Sequence, residues 1–116
     1  MIDGVSPYIG DYPGLRKMVP SFYRAPRSYR YAVMRAARIT GYGYSEIIGS
    51  SRDRSLSHIR WAIMMALRSR GLSTPLIGRL LGGRDHSTVM HGLERGAELV
   101  KTDPDFATLV SMVAAA

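Results

Sequence analysis

Two adjacent glycines, Gly82 and Gly83, interrupt an otherwise helix-forming stretch, and they constrain this chain more than any other feature. Upstream of them Thr74 is a suitable N-cap and Pro75 suits the first helical position, so a short helix is expected over residues 75–81. Downstream, Asp85 offers a second N-cap whose carboxylate can accept from the amide of Ser87 or Thr88, opening a longer helix to about residue 101. Two helices joined by a short glycine turn make a helix-turn-helix. At about 100° per residue, Val89, Leu93, Gly96 and Val100 share one face of the second helix, while Ser87, His91, Glu94 and Glu98 lie opposite. Phosphates would repel Glu94 and Glu98, so only the first turns, carrying Asp85, His86, Ser87, Thr88 and His91, suit a nucleic-acid groove. An ordinary helical hairpin with a polar surface satisfies the same periodicity.

The rest of the chain reads as helical around this pair. Val33, Ala36 and Ala37 recur at helical spacing over residues 28–39, and Gly41 and Gly43 break that helix. A short turn of helix is expected at residues 44–48, then a polar loop over residues 49–55. Leu56, Ile59, Ile63, Ala66 and Leu67 mark a long helix that should form the spine of the core. Asp103 as N-cap and Pro104 at N1 open a last helix with Phe106, Leu109, Val110 and Val113 on one face. The expectation is an all-α domain of about six helices over residues 28–116, with no repeats. Residues 1–27 carry Pro7, Pro13, Pro20 and Pro26 among Tyr8, Tyr12 and Tyr23, and read as a loosely ordered Tyr/Pro/Arg arm.

Charge narrows the class of partner. Sixteen Lys and Arg against nine Asp and Glu give +7 over 116 residues, and all but two of the sixteen are arginine, the side chain that pairs bidentately with phosphate and guanine. With no cysteine there are no disulfides and no thiolate metal sites. His86 and His91 sit about 140° apart around their helix, poor metal-ligand geometry, so no metal and no cofactor is expected. No apolar run approaches a membrane span, and Asp3 and Asp11 interrupt any signal-peptide core, so a cytoplasmic, nucleoid-associated protein is expected.

The run Gly82-Gly83-Arg84-Asp85-His86-Ser87-Thr88-Val89, preceded by Ile77-Gly78, resembles the C-terminal DNA-binding domain of the bacterial replication initiator DnaA. That family's hallmark is Gly-Gly-Arg-Asp-His-Thr-Thr-Val. Upstream, Ile47-Ile48, then Ser51-Arg52-Asp53-Arg54-Ser55, then Arg60, are similar to the family's basic loop and the long helix that follows it. The resemblance spans residues 31–113 and implies an all-α, Trp-repressor-like fold that binds double-stranded DNA. It further implies a minor-groove role for Arg52 and base contacts from Asp85, His86, Ser87 and Thr88. Phosphate contacts are implied for Arg60, Trp61, Thr74, Arg84 and His91. Trp61 replaces the family's glutamine, and Ser87 lacks the methyl group that a threonine could pack on thymine, so an altered base preference is expected. Each role has a plainer alternative: Asp85 and Thr88 can serve the helix cap alone, and Trp61 can belong to the core.

Enzyme chemistry finds no support in the residues. There is no Gly-x-x-x-x-Gly-Lys-Ser/Thr loop, so the nucleotide-hydrolysing module of full-length initiators is expected to be absent, and the acids sit singly instead of clustering for two-metal chemistry. The expectation is a non-enzymatic DNA reader of bacterial or phage origin, acting in transcription regulation or modulating replication initiation. The alternative is an adaptor whose N-terminal arm binds another protein, with DNA contact secondary.

Overall fold

A computed structural model describes residues 29–115, which fold into six helices. They are α1 (Tyr29–Thr40), α2 (Tyr44–Ile48), α3 (Arg54–Ser69), α4 (Thr74–Leu80), α5 (His86–Thr102) and α6 (Pro104–Ala114). No strand occurs among the described residues. The arm expected over residues 1–27 lies outside them.

The core is built around α3, which packs against α1, α5 and α6. Asp53 caps it, accepting from the Ser55 amide at 3.0 Å. Its buried stripe is wide: Leu56, Ile59, Ala62, Ile63, Met64, Ala66 and Leu67 are all withdrawn from solvent, so the helix is nearly surrounded, as a spine must be. At its end the Leu72 amide bonds to the Leu67 carbonyl and the Gly71 amide to the Arg68 carbonyl, a Schellman closure that turns the chain toward α4. Val33 and Ala36 from α1, Ile47 from α2, Ile77 and Leu81 around α4, Val89 from α5 and Val113 from α6 complete the core.

The start of α4 differs from expectation by one residue. Ser73, not Thr74, is the N-cap, its hydroxyl accepting from the Leu76 amide at 3.4 Å. Pro75 therefore sits at the second helical position and Thr74 at the first, where its side chain is buried. Two consecutive hydroxyl residues before a proline leave the register open, because proline lacks only an amide proton that the first turn would not use.

Helix α5 starts where expected. Asp85 accepts from the Thr88 amide at 2.8 Å, and Asp103 ends α5 while capping α6 through the amides of Asp105 and Phe106 at 3.0 and 3.1 Å. The face of α5 that meets α3 is narrower than periodicity suggests. Gly92 and Gly96 lie over Trp61, Met64 and Met65, and a Cβ at Gly92 would crowd the Met64 sulfur and the Trp61 ring. Small residues four apart let the two helix backbones approach where leucines would hold them away.

The last carbonyls of α6 are met by arginines from elsewhere in the fold. Arg35 Nε donates to the Met112 oxygen at 2.9 Å and Arg70 Nη2 to the Ala114 oxygen at 3.2 Å. Helix C-termini leave such oxygens unpaired and partly negative, so cations are favourable there.

Candidate nucleic-acid interface

The first turn of α5 puts Asp85, His86, Ser87 and Thr88 at the surface, all four exposed. Asp85 is held by its cap. The Thr88 amide and hydroxyl donate to its carboxylate, and this bonding, foremost among its surroundings, keeps the Asp85 pKa below the ordinary 3.8. His86 turns its Nδ1 to the Thr74 hydroxyl, 2.6 Å away, which ties the start of α5 to the start of α4. His91 is exposed farther along α5.

The turn before α5 is pinned to the loop after α2. Gly82 has φ +87°, and a Cβ there would fall on the Ile48 carbonyl oxygen, so the position requires glycine both for its backbone angle and for this close approach. The Gly83 and Arg84 amides both donate to the Gly78 carbonyl, at 3.0 and 2.9 Å. The Arg84 guanidinium then reaches across to the loop: Nη2 donates to the Gly49 oxygen at 2.5 Å and Nη1 to the Ile48 oxygen at 3.4 Å and to the Leu81 oxygen.

Arg60 approaches the same loop from below. The resemblance implied a phosphate contact for it, but the side chain is 5% exposed and turned inward. Its Nε donates to the Ile47 oxygen and Nη1 to the Ser51 oxygen, both at 2.6 Å, while Nη2 donates to the Glu46 and Gly49 oxygens at 3.0 and 3.1 Å. Four backbone carbonyls thus hold a cation with five N–H groups, which corrects its place from the surface to the scaffold. Burial, then the nearby Arg84 charge, lowers the Arg60 pKa from its ordinary value, and burial lowers that of Arg84. Guanidinium groups nevertheless keep their charge.

Between the loop and the turn lies a cleft of about 500 Å³. Arg52, Arg60 and Arg84 contribute to its walls together with Ser50, Ser51, Ser57, Trp61 and Thr88, and among the described residues no acidic one lines it. Arg52 itself is exposed on the loop, and Trp61 is half-buried, its ring 5.0 Å from that of His58. The cleft is therefore positive on one side by the loop and on the other by the turn, an arrangement that concentrates anions. Arg60 and Arg84, with the Ser51 and Gly49 carbonyls that accept from them, carry this geometry, and none was foreseen in these roles. The signal for Arg60 existed: four residues after Leu56 and three before Ile63, it lies on the apolar stripe of its own helix.

Among the described residues no group of three or more His, Cys, Asp or Glu side chains could hold a metal ion, and no helix is long and apolar enough to cross a membrane.

Residues 32–95 match the profile of a family described as the bacterial dnaA protein helix-turn-helix. Similar curated proteins carry the name chromosomal replication initiator protein DnaA. The protein from Picosynechococcus is 34% identical over 95 residues, covering 81% of this chain and 21% of its own length. Its counterpart from Ruegeria pomeroyi is 49% identical over 72 residues, 60% of this chain and 15% of its own length. That of Oenococcus oeni is 42% identical over 60 residues, covering 51% and 13%. The chain thus spans about a fifth or less of these relatives. No solved structure matches it.

Proposed function

The chain belongs to the bacterial DnaA helix-turn-helix family, and from that membership we propose that it binds double-stranded DNA with sequence preference. The first turn of α5 enters the major groove, where Asp85, His86, Ser87 and Thr88 meet base edges. Arg52, on the far side of the cleft, reaches the adjacent minor groove. Phosphate contacts come from the exposed His91, the Trp61 indole N–H at the cleft wall and the outer edge of Arg84. Arg60 and Thr74 act from behind the surface, holding the loop and His86 respectively. The observation that carries this reading is the acid-free cleft between an arginine loop and a polar helix start, because two DNA-facing elements fixed to each other can read one site together.

In the cell such a reader regulates transcription near its sites or modulates replication initiation by occupying sites that an initiator would use. Enriching random duplexes on the purified chain, then measuring affinity for the selected site against salt, tests the proposal. A selected motif and a log-log salt slope of several units, at about −0.9 per phosphate neutralised, are expected. Duplex binding that is absent at low salt, or present without any selected motif, would overturn it.

A further inference from the structure

The contact between Thr74 and His86 determines more than the position of a ring. Thr74 is 6% exposed, and its Oγ1 lies 2.6 Å from His86 Nδ1, the partner recorded for that hydroxyl among the described residues. A hydroxyl proton removed from water needs an acceptor, and leaving it without one costs free energy. Imidazole Nδ1 can supply that acceptor only when it carries no proton itself. In the neutral ring the proton then resides on Nε2, the nitrogen on the edge directed away from Thr74. The opposite tautomer would point an Nδ1–H at the hydroxyl oxygen and strand the hydroxyl proton in a buried position. His86 itself is exposed at the first residue of α5, so whatever Nε2 carries is what the helix start presents outward.

We propose that Thr74 is a positioning residue that sets the base specificity of His86: its hydroxyl fixes the Nε2–H tautomer, so His86 offers a hydrogen-bond donor to the major groove. A donor there pairs with purine N7, guanine O6 or thymine O4, and rejects the amino groups of adenine and cytosine. The inference rests on the DNA-binding reading above, but the tautomer is a property of the free protein and can be measured without DNA.

The test has two arms on the full chain. In the first, long-range proton–nitrogen NMR of the 15N-labelled protein above the histidine pKa identifies the His86 ring by its loss in His86→Gln. The expected pattern is an unprotonated Nδ1 and a protonated Nε2. Thr74→Val, which keeps the shape and removes the hydroxyl, should shift both nitrogens toward a mixture of tautomers, and Thr74→Ser should restore them. A protonated Nδ1 in the unaltered protein, or a spectrum unchanged in Thr74→Val, would overturn the proposal even if that variant folded poorly, since the first observation needs no variant. In the second arm, duplexes selected from random pools are compared. Thr74→Val should lose about tenfold in discrimination at one base pair, with Thr74→Ser close to the unaltered protein. Replacing the purine at that pair by its 7-deaza analogue should reproduce the loss where N7 is the acceptor. Identical selected motifs and affinities for Thr74→Val would sink the specificity role. If the Nε2–H tautomer is found but no duplex is bound, the DNA reading itself fails, and His86 has no base to read.

Discussion

Arg60 and Arg84 donate to one acceptor: their Nη2 atoms lie 3.1 and 2.5 Å from the Gly49 carbonyl oxygen. One side chain comes from α3 in the core and the other from the turn before α5, so this oxygen is where the loop, the spine and the start of the exposed helix meet. Two like charges share it without a carboxylate between them, which works because backbone carbonyls of residues 46–51 supply the compensating dipoles.

The first prediction concerns that fork. Arg60→Ala should cost about 2–4 kcal/mol of stability, since it leaves buried carbonyls without donors, and lower the melting temperature by roughly 10 °C or more. Arg60→Lys should recover only a small part, because an ammonium cannot span four oxygens placed for a planar group. Thermal melts of the three proteins check this. Near-complete recovery by lysine would mean that charge, not geometry, holds the loop.

A second prediction separates the paired glycines of the turn. Gly83 has φ +84° with open space around it, so Gly83→Ala should cost about 1 kcal/mol, the backbone penalty alone. Gly82→Ala meets the same penalty and a collision with the Ile48 carbonyl, and should lose roughly 2 kcal/mol or more by denaturant titration. It should also weaken DNA binding beyond its effect on folding, because the displaced loop carries Arg52. Equal losses at the two positions would show that the turn and the loop are not in mutual contact.

Much of the fold is legible in the sequence, and the exceptions have a common physical origin. Asp85 and Asp103 accept from amides two or three residues on, and Pro104 acts through its own fixed φ, so spacing alone reveals the start of α5 and of α6. Helical periodicity likewise finds the spine, from Leu56 to Leu67. Arg60, for which the resemblance implies a phosphate contact, lies buried, as its position in the apolar stripe indicates. Its acceptors are backbone oxygens of another segment, and no side chain advertises them. Ser73 and Thr74 are adjacent and chemically alike, so only three-dimensional packing decides which caps and which turns to His86. Arg52, Asp85, His86, Ser87 and Thr88 all lie exposed at the surface.

The third prediction tests the close approach of α5 to α3. Alanine at a helical glycine gains about 1 kcal/mol of propensity unless it collides. At Gly96 the obstacle is the end of the half-buried Met65 side chain, which can swing aside, so Gly96→Ala should be neutral or mildly stabilising. At Gly92 the buried Met64 and the rigid Trp61 ring stand in the way, and Gly92→Ala should destabilise by about 1–3 kcal/mol. Opposite signs in chemical denaturation support the packing described, and the reverse order would contradict it.

A fourth prediction follows from the depressed pKa of Asp85. A carboxylate whose folded pKa lies below its unfolded value stabilises the fold above the unfolded pKa, about 3.9, and loses that contribution as pH falls through the folded one. Asp85→Asn keeps a capping oxygen but not the charge, and Asp85→Ala keeps neither. The melting temperatures at neutral pH should therefore rank the native protein above Asp85→Asn and Asp85→Ala lowest. As the pH drops below about 4, the advantage of the native protein over Asp85→Asn should close. A gap that stays constant down to pH 2.5 would place the origin of the effect elsewhere than in this carboxylate.

Arginines at positions 35, 60, 68, 70 and 84 all donate to main-chain oxygens of their own fold. A surface coloured by formal charge would paint them like Arg52, yet part of each guanidinium is already committed to the polypeptide. The ledger of cations therefore overstates the number of phosphates this chain can grip. Raising ionic strength should strip DNA from it by fewer ions than an arginine tally suggests, while the same ions weaken the arginine seals at the end of α6. Part of the basicity that marks the sequence as a polyanion binder is thus also the mortar of the domain.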